Sequence, residues 1–285
     1  MHDTYIRTGL YPSKLPTIMG AEAVGTVSAV GDGVTEYRVG DRVASFEYGS
    51  AYTSFAVVSA RNCFLIPNNL SDELAVASLV QGLTAHYLAC DTFALARGHT
   101  ALVHAAAGGT GALLVQMAKL RGATVIGTVS SEAKAVEARA LGADDVIVYG
   151  DSYDFEAATL QLCPGGVDVV YDSIGAATAE QSLRSLRPRG MCVFYGNSSG
   201  APPPIAPTPT LATLGSLYVT RPILNHYLLT EEERCRRAAE TFGWVADGDV
   251  RVRIARTYEL EQAAEAHELL ESRSARGKVL LEVNA

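Results

Sequence analysis

The stretch VHAAAGGTGALLVQMAKLRGATVIGTV, from Val103 to Val129, constrains the fold more than any other part of the chain. A short apolar run enters small residues and a glycine pair. A helix-forming segment follows, then a second apolar run. Ala105, Gly108 and Gly111 give the spacing A-x-x-G-x-x-G. Small residues permit the tight turn out of a strand. Gly108 and Gly109 let backbone amides come close to an anion, and Gly111 lets the helix lie against the sheet. The helix N-terminus offers N–H groups that suit a pyrophosphate. Such a pattern is weak alone. Between a strand and a helix, within a strand–helix series, it reads as a dinucleotide turn.

That series sets the fold class. Strands are expected at Ala101–His104, Thr124–Val129, Asp145–Tyr149, Val167–Tyr171, Met191–Tyr195 and Leu217–Thr220, with helices such as Gly109–Arg121 and Ala177–Leu186 between them. This alternation predicts an α/β fold, a doubly wound parallel sheet of Rossmann type. Before about Gln81 the runs AEAVGTVSAVG, YRVGDRVASF and YTSFAVV predict a mostly-β region with weak helix signals. After Pro222, Thr230 and Glu233 form a capping box that opens a helix. A second helix is expected over about Leu260 to Ser272, and GKVLLEV reads as a closing strand. The proline-rich Gly200–Thr210 reads as a loop.

Composition excludes several classes. The 285 residues suit two domains. With a formal net charge of -8 and no basic block, nucleic acid is not expected as a main partner. No apolar run reaches membrane length and no signal segment opens the chain, so no membrane association is expected. Cys63, Cys90, Cys163, Cys192 and Cys235 are odd in number and dispersed, which suits reduced thiols in the cytoplasm and gives no zinc spacing.

NAD-binding sheets usually place Asp or Glu after the second strand, on the ribose hydroxyl. Here the positions read Thr128, Val129, Ser130, Ser131. Hydroxyls from Ser130 and Ser131, an ammonium from Lys134 and a phenol from Tyr149 would accept a 2′-phosphate, which favours NADPH. The blander reading is that both serines only cap the next helix and Lys134 is solvated. Glu132 is the contrary residue.

The segments DTYIRTGLYP (3–12), VGDRV (39–43), GLTAHYL (82–88), HAAAGGTG (104–111), VDVVYDSIG (167–175), FYGNSSG (194–200) and GSLYVTRP (215–222) together resemble the NADPH:quinone oxidoreductases. These are the zeta-crystallin-like, zinc-free branch of the medium-chain dehydrogenase/reductase superfamily. The resemblance implies a GroES-like catalytic domain over 1–81 and 223–285, a Rossmann NADPH domain over 82–222, and a homodimer. It places the cofactor against Tyr87, Gly108, Gly109, Thr110, Ser130, Ser131, Lys134, Tyr149, Ser173, Tyr195, Gly196, Asn197, Ser198, Ile223, Leu224 and Arg273. It places Asp3, Tyr5 and Tyr11 at the nicotinamide and quinone pocket. Tyr5 and Tyr11 alone would read as packing residues.

Zinc-using relatives carry His where this chain has Ala21, and the clustered cysteines of a structural zinc are absent, so no metal is expected. His86 and His104 are read as structural. Relatives begin about forty residues earlier, with an Asn shortly before DTY; either an N-terminally shortened first domain, whose missing strands would open a sheet edge, or an incomplete gene model is expected. Quinone reduction needs a hydride and a dry pocket rather than a metal. The expected alternatives are a non-catalytic NADPH-binding structural or redox-sensing protein, and an NADPH-dependent reductase of α,β-unsaturated carbonyls.

Overall fold

The computed structural model describes residues 2–9, 14–46, 51–150, 152–272 and 275–283. The chain divides into two compact units, one of residues 1–83, 229–248 and 252–285, the other of 84–228 and 249–251.

The first unit starts with α1 (His2–Arg7), followed by β1 (Glu22–Thr26), β2 (Arg42–Phe46) and β3 (Cys63–Leu65), an antiparallel sheet in that order. The run YTSFAVV does not join it. Phe55 and Val57 are 75% and 99% exposed, and residues 51–58 pair with no strand among the described residues. Strand propensity is realised only where a neighbour exists to pack against. Helix α2 (Asp72–Tyr87) corrects the mostly-β expectation as well. Ser71 Oγ accepts the N–H of Leu74 at its start, and Ala75, Leu79 and Leu83 are fully buried along it.

The second unit holds β4 (Thr100–His104), α3 (Gly109–Leu120), β5 (Thr124–Val129), α4 (Glu132–Ala140), β6 (Asp145–Val148), α5 (Glu156–Leu162), β7 (Val167–Asp172), α6 (Ala179–Arg184), β8 (Leu186–Phe194) and β9 (Tyr218–Thr220). All six strands are parallel, in the order β6-β5-β4-β7-β8-β9. The order reverses at β4, the switch point where such sheets bind ligands. Leu102, Ile126, Phe155, Val170, Leu183 and Phe194 fill the core. Strand β8 begins five residues before the expected Met191. Leu186 pairs with Val167, the ladder slips around Arg189 (φ 61), and pairing resumes between Met191 and Val169. The breaker-rich Arg187–Gly190 hides that bulge in the sequence. The expected loop Gly200–Thr210 runs into a wide helical turn at Pro207–Ala212.

The chain then returns to the first unit with α7 (Glu231–Ala246), β10 (Ile254–Glu259), α8 (Ala263–Glu271) and β11 (Lys278–Glu282). The capping box forms as expected: Thr230 Oγ1 accepts from Glu233 N at 3.2 Å, and Glu233 Oε2 accepts from Thr230 N at 3.1 Å. Strands β10 and β11 pair in parallel. Glu22 ties distant segments together: its carboxylate accepts the Val80 N–H at 2.9 Å and pairs with Lys278. Within the second unit Gln116 clasps residue 251, accepting its N–H at 2.8 Å and donating to its carbonyl at 3.0 Å.

Candidate functional site

Strand β4 ends at His104, and Ala105 takes a left-handed conformation (φ 51) to turn the chain. The Gly108 N–H donates to the Ala105 carbonyl at 2.7 Å. A Cβ on Gly111 would lie 2.3 Å from that carbonyl, and one on Gly108 3.1 Å from it. Glycine at 111 is therefore a steric requirement of the turn. No side chain caps α3, whose first residues are Gly109 and Thr110, so the open helix end fits a pyrophosphate.

Beyond β5, Lys134 reaches back one turn and its Nζ donates to Ser130 Oγ at 3.1 Å. Ser131 is the extended N-cap of α4, yet its hydroxyl makes no capping bond. The simple capping account thus fails for Ser131. Glu132 is exposed in the first turn. Tyr149 follows β6 and donates its N–H to the Val129 carbonyl at 3.1 Å. Its ring stacks on Tyr153 at 4.7 Å, and burial pushes its phenol up to about 12, so it is a neutral donor at physiological pH.

Beyond β7 and β8 the loops interlock. Ser198 N–H donates to the Ser173 carbonyl at 3.2 Å, and a Cβ on Gly196 would stand 2.5 Å from the same oxygen. Burial raises the Tyr195 phenol to about 12, partly offset by a hydrogen bond with the Ser173 side chain. Asn197 and Ser198 are exposed. Leu224 is buried and Ile223 half exposed. Tyr87 is buried against Tyr227, rings stacked at 4.2 Å. Thus Gly108 to Thr110, Ser130 to Lys134, Tyr149, Ser173 and Tyr195 to Ser198 all follow the carboxyl ends of neighbouring parallel strands.

In the first unit, Asp3 and Tyr5 lie on α1, and Asp3 Oδ1 is buried without a hydrogen-bond partner. Such an acceptor is costly unless a ligand supplies the donor. Tyr11 and Arg273 lie outside the described residues. Sequence reasoning missed Tyr52 and His267, which meet at 2.8 Å through Oη and Nε2. Arg7 Nη1 lies 3.1 Å from His267 Nδ1 and pairs with Glu271. Arginine only donates, so Nδ1 accepts and Nε2–H donates to Tyr52. The Tyr52 proton is then free to donate elsewhere. Burial, then the Asp3 charge, raises the Tyr52 pKa; burial, then the Arg7 charge, lowers that of His267.

Two family models match, described as alcohol dehydrogenase GroES-like domain over residues 1–97 and zinc-binding dehydrogenase over 141–281. Quinone oxidoreductase 1 of Escherichia coli is 44% identical, over 98% of this chain and 86% of its own length. A 2-haloacrylate reductase of a Burkholderia species is 40% identical over the same shares. The solved Escherichia coli quinone oxidoreductase complexed with NADPH superposes with a TM-score of 0.92 at 42% identity, covering 98% of this chain and 87% of that one. The two-unit architecture accordingly pairs a GroES-like region with a Rossmann-type sheet. The chain belongs to the quinone oxidoreductase family of the medium-chain dehydrogenase/reductase superfamily.

Proposed function

We propose that the protein is an NADPH:quinone oxidoreductase that works without zinc, as a homodimer in the cytoplasm. The observation that carries the cofactor choice is the Lys134 ammonium on Ser130, where an NAD-binding sheet would carry an acid. Amides of Gly109 and Thr110 hold the pyrophosphate, backed by the glycine at 108. Ser130, Ser131, Lys134 and Tyr149 hold the 2′-phosphate. Tyr87, Ser173, Tyr195, Gly196, Asn197, Ser198, Ile223, Leu224 and Arg273 serve the rest of the cofactor. When bound, NADPH supplies a hydride from its nicotinamide C4. Asp3, Tyr5 and Tyr11 line the acceptor side. The quinone gains two electrons with the hydride and needs one proton to become the hydroquinone. Tyr52, whose own proton is uncommitted beside Asp3, supplies it. Tyr52→Phe should lower kcat with a quinone about 100-fold, the lower end of the range for a general acid, and leave the KM for NADPH within about twofold. Steady-state kinetics checks this; an unchanged kcat would remove Tyr52 from the mechanism.

The zinc-free reading is supported by Ala21 and by the dispersed cysteines, none of which is in a disulfide. The cytoplasmic reading rests on those same reduced thiols. Among the described residues, no helix is long and apolar enough to cross a membrane. The defining experiment follows NADPH oxidation with a soluble quinone, with and without a chelator. NADPH binding without oxidation of any acceptor would favour a structural or redox-sensing protein. The 2-haloacrylate reductase relative is the specific reason to run an activated alkene in parallel.

The homodimer is supported by β9, the last strand of its sheet. Tyr218 and Val219 are 58% and 36% exposed there, and Leu217 turns inward. Pairing this edge with its copy across a two-fold axis would hide it. Light scattering should give twice the 30.1 kDa chain mass at micromolar concentration. A mass of one chain rejects the pairing.

A further inference from the structure

At the carboxyl end of the parallel sheet runs a chain of side chains closed to solvent. Thr128, His104, Ser182, Asp172 and Thr178 are all fully buried. His104 Nδ1 lies 2.8 Å from Thr128 Oγ1, and His104 Nε2 lies 2.9 Å from Ser182 Oγ. Ser182 and Thr178 donate to Asp172 Oδ2 at 2.8 and 2.7 Å. Asp172 Oδ1 accepts the N–H groups of Ile174 and Gly175 at 2.8 and 2.9 Å.

The proton directions follow from chemistry. A carboxylate only accepts, so Ser182 gives its proton to Asp172 and must accept from His104 Nε2–H. Nδ1 is then an acceptor, and Thr128 donates to it. Burial keeps the ring neutral against the pull of Asp172, and His104 and Phe155 form a T-shaped pair with ring centroids 4.6 Å apart.

We infer that His104 is a positioning residue for the cofactor, fixing the relative places of three strand ends that share one ligand. Resting on the NADPH reading above, it joins the end of β4, where the glycine turn begins, to the end of β5, which leads to Ser130 and Lys134. Through Ser182 it reaches Asp172, which holds the loop after Ser173. An apolar side chain would fill the space but fix no direction, and a buried polar chain is worth its desolvation only when every member is satisfied. Here every link is.

The test is calorimetric titration of NADPH and NADH, with thermal unfolding as control. His104→Gln offers an amide whose oxygen and nitrogen can replace Nδ1 and Nε2. His104→Phe offers bulk alone. The phenylalanine variant should bind NADPH about tenfold more weakly, the loss expected for roughly one hydrogen bond to a charged network, and glutamine should bind within about threefold of wild type. Thr128→Val and Ser182→Ala, near in size to the originals, cut one link each. Thr128→Val should weaken NADPH several-fold more than NADH, since it loosens only the 2′-phosphate end; Ser182→Ala should weaken both alike. Those results support the positioning role. Unchanged affinities in folded variants overturn it, as does failure of glutamine to restore binding. A wild-type protein that binds no NADPH overturns the cofactor reading itself, and this role with it.

Discussion

Valine in place of Gly109 is expected to abolish dinucleotide binding in a chain that still folds. Gly109 is the first residue of α3, behind an N-cap that offers no side chain, and it is not fully buried. A branched side chain there would stand in front of the open amides. Losing two charge-assisted bonds of about 1.5 kcal/mol or more each costs about 100-fold in affinity. Calorimetric titration of NADPH against the variant, with its unfolding temperature unchanged, checks this. Undiminished binding would place the pyrophosphate elsewhere.

Lys134→Ala should weaken NADPH by about tenfold or more while leaving NADH nearly untouched, because only NADPH presents a charge for the ammonium to meet. The lysine donates to Ser130 at 3.1 Å, which holds ammonium and hydroxyl together as a phosphate would need them. The measurement is the ratio of the two dissociation constants in wild type and variant. Equal weakening would mean that Lys134 acts through general electrostatics. A wild type that prefers NADH would turn the argument toward Glu132.

What was legible in the sequence was local and steric. The spacing of Gly108 and Gly111 is imposed by the Ala105 carbonyl, so the turn could be read without knowing its neighbours. The Thr230 box spans four residues and was equally plain. Three features were not legible. YTSFAVV has the composition of a strand and lacks only a partner, which no local pattern reports. Strand β8 was hidden behind a bulge at Arg189 that looks like a breaker. Tyr52 and His267 lie 215 residues apart, so nothing near either residue announces the other. His104 could be read as structural, but its link to Asp172 depends on the parallel pairing of β4 with β7.

The Glu22 carboxylate, shared between Val80 and Lys278, has a consequence for biosynthesis. A ribosome delivers β1, β2 and β3 before the unit of 84–228, yet their own unit also needs α7, α8 and the β10–β11 pair, made after it. The unit of 84–228 is almost continuous in the chain and needs from afterwards only the three-residue clasp at 249–251. Domains generally close as their residues emerge. The stretch 84–228 therefore matures before the strands that precede it. Until Lys278 arrives, Glu22 is a charge without its counter-ion and the first sheet is unfinished. That interval is when a nascent chain of this design depends most on chaperones.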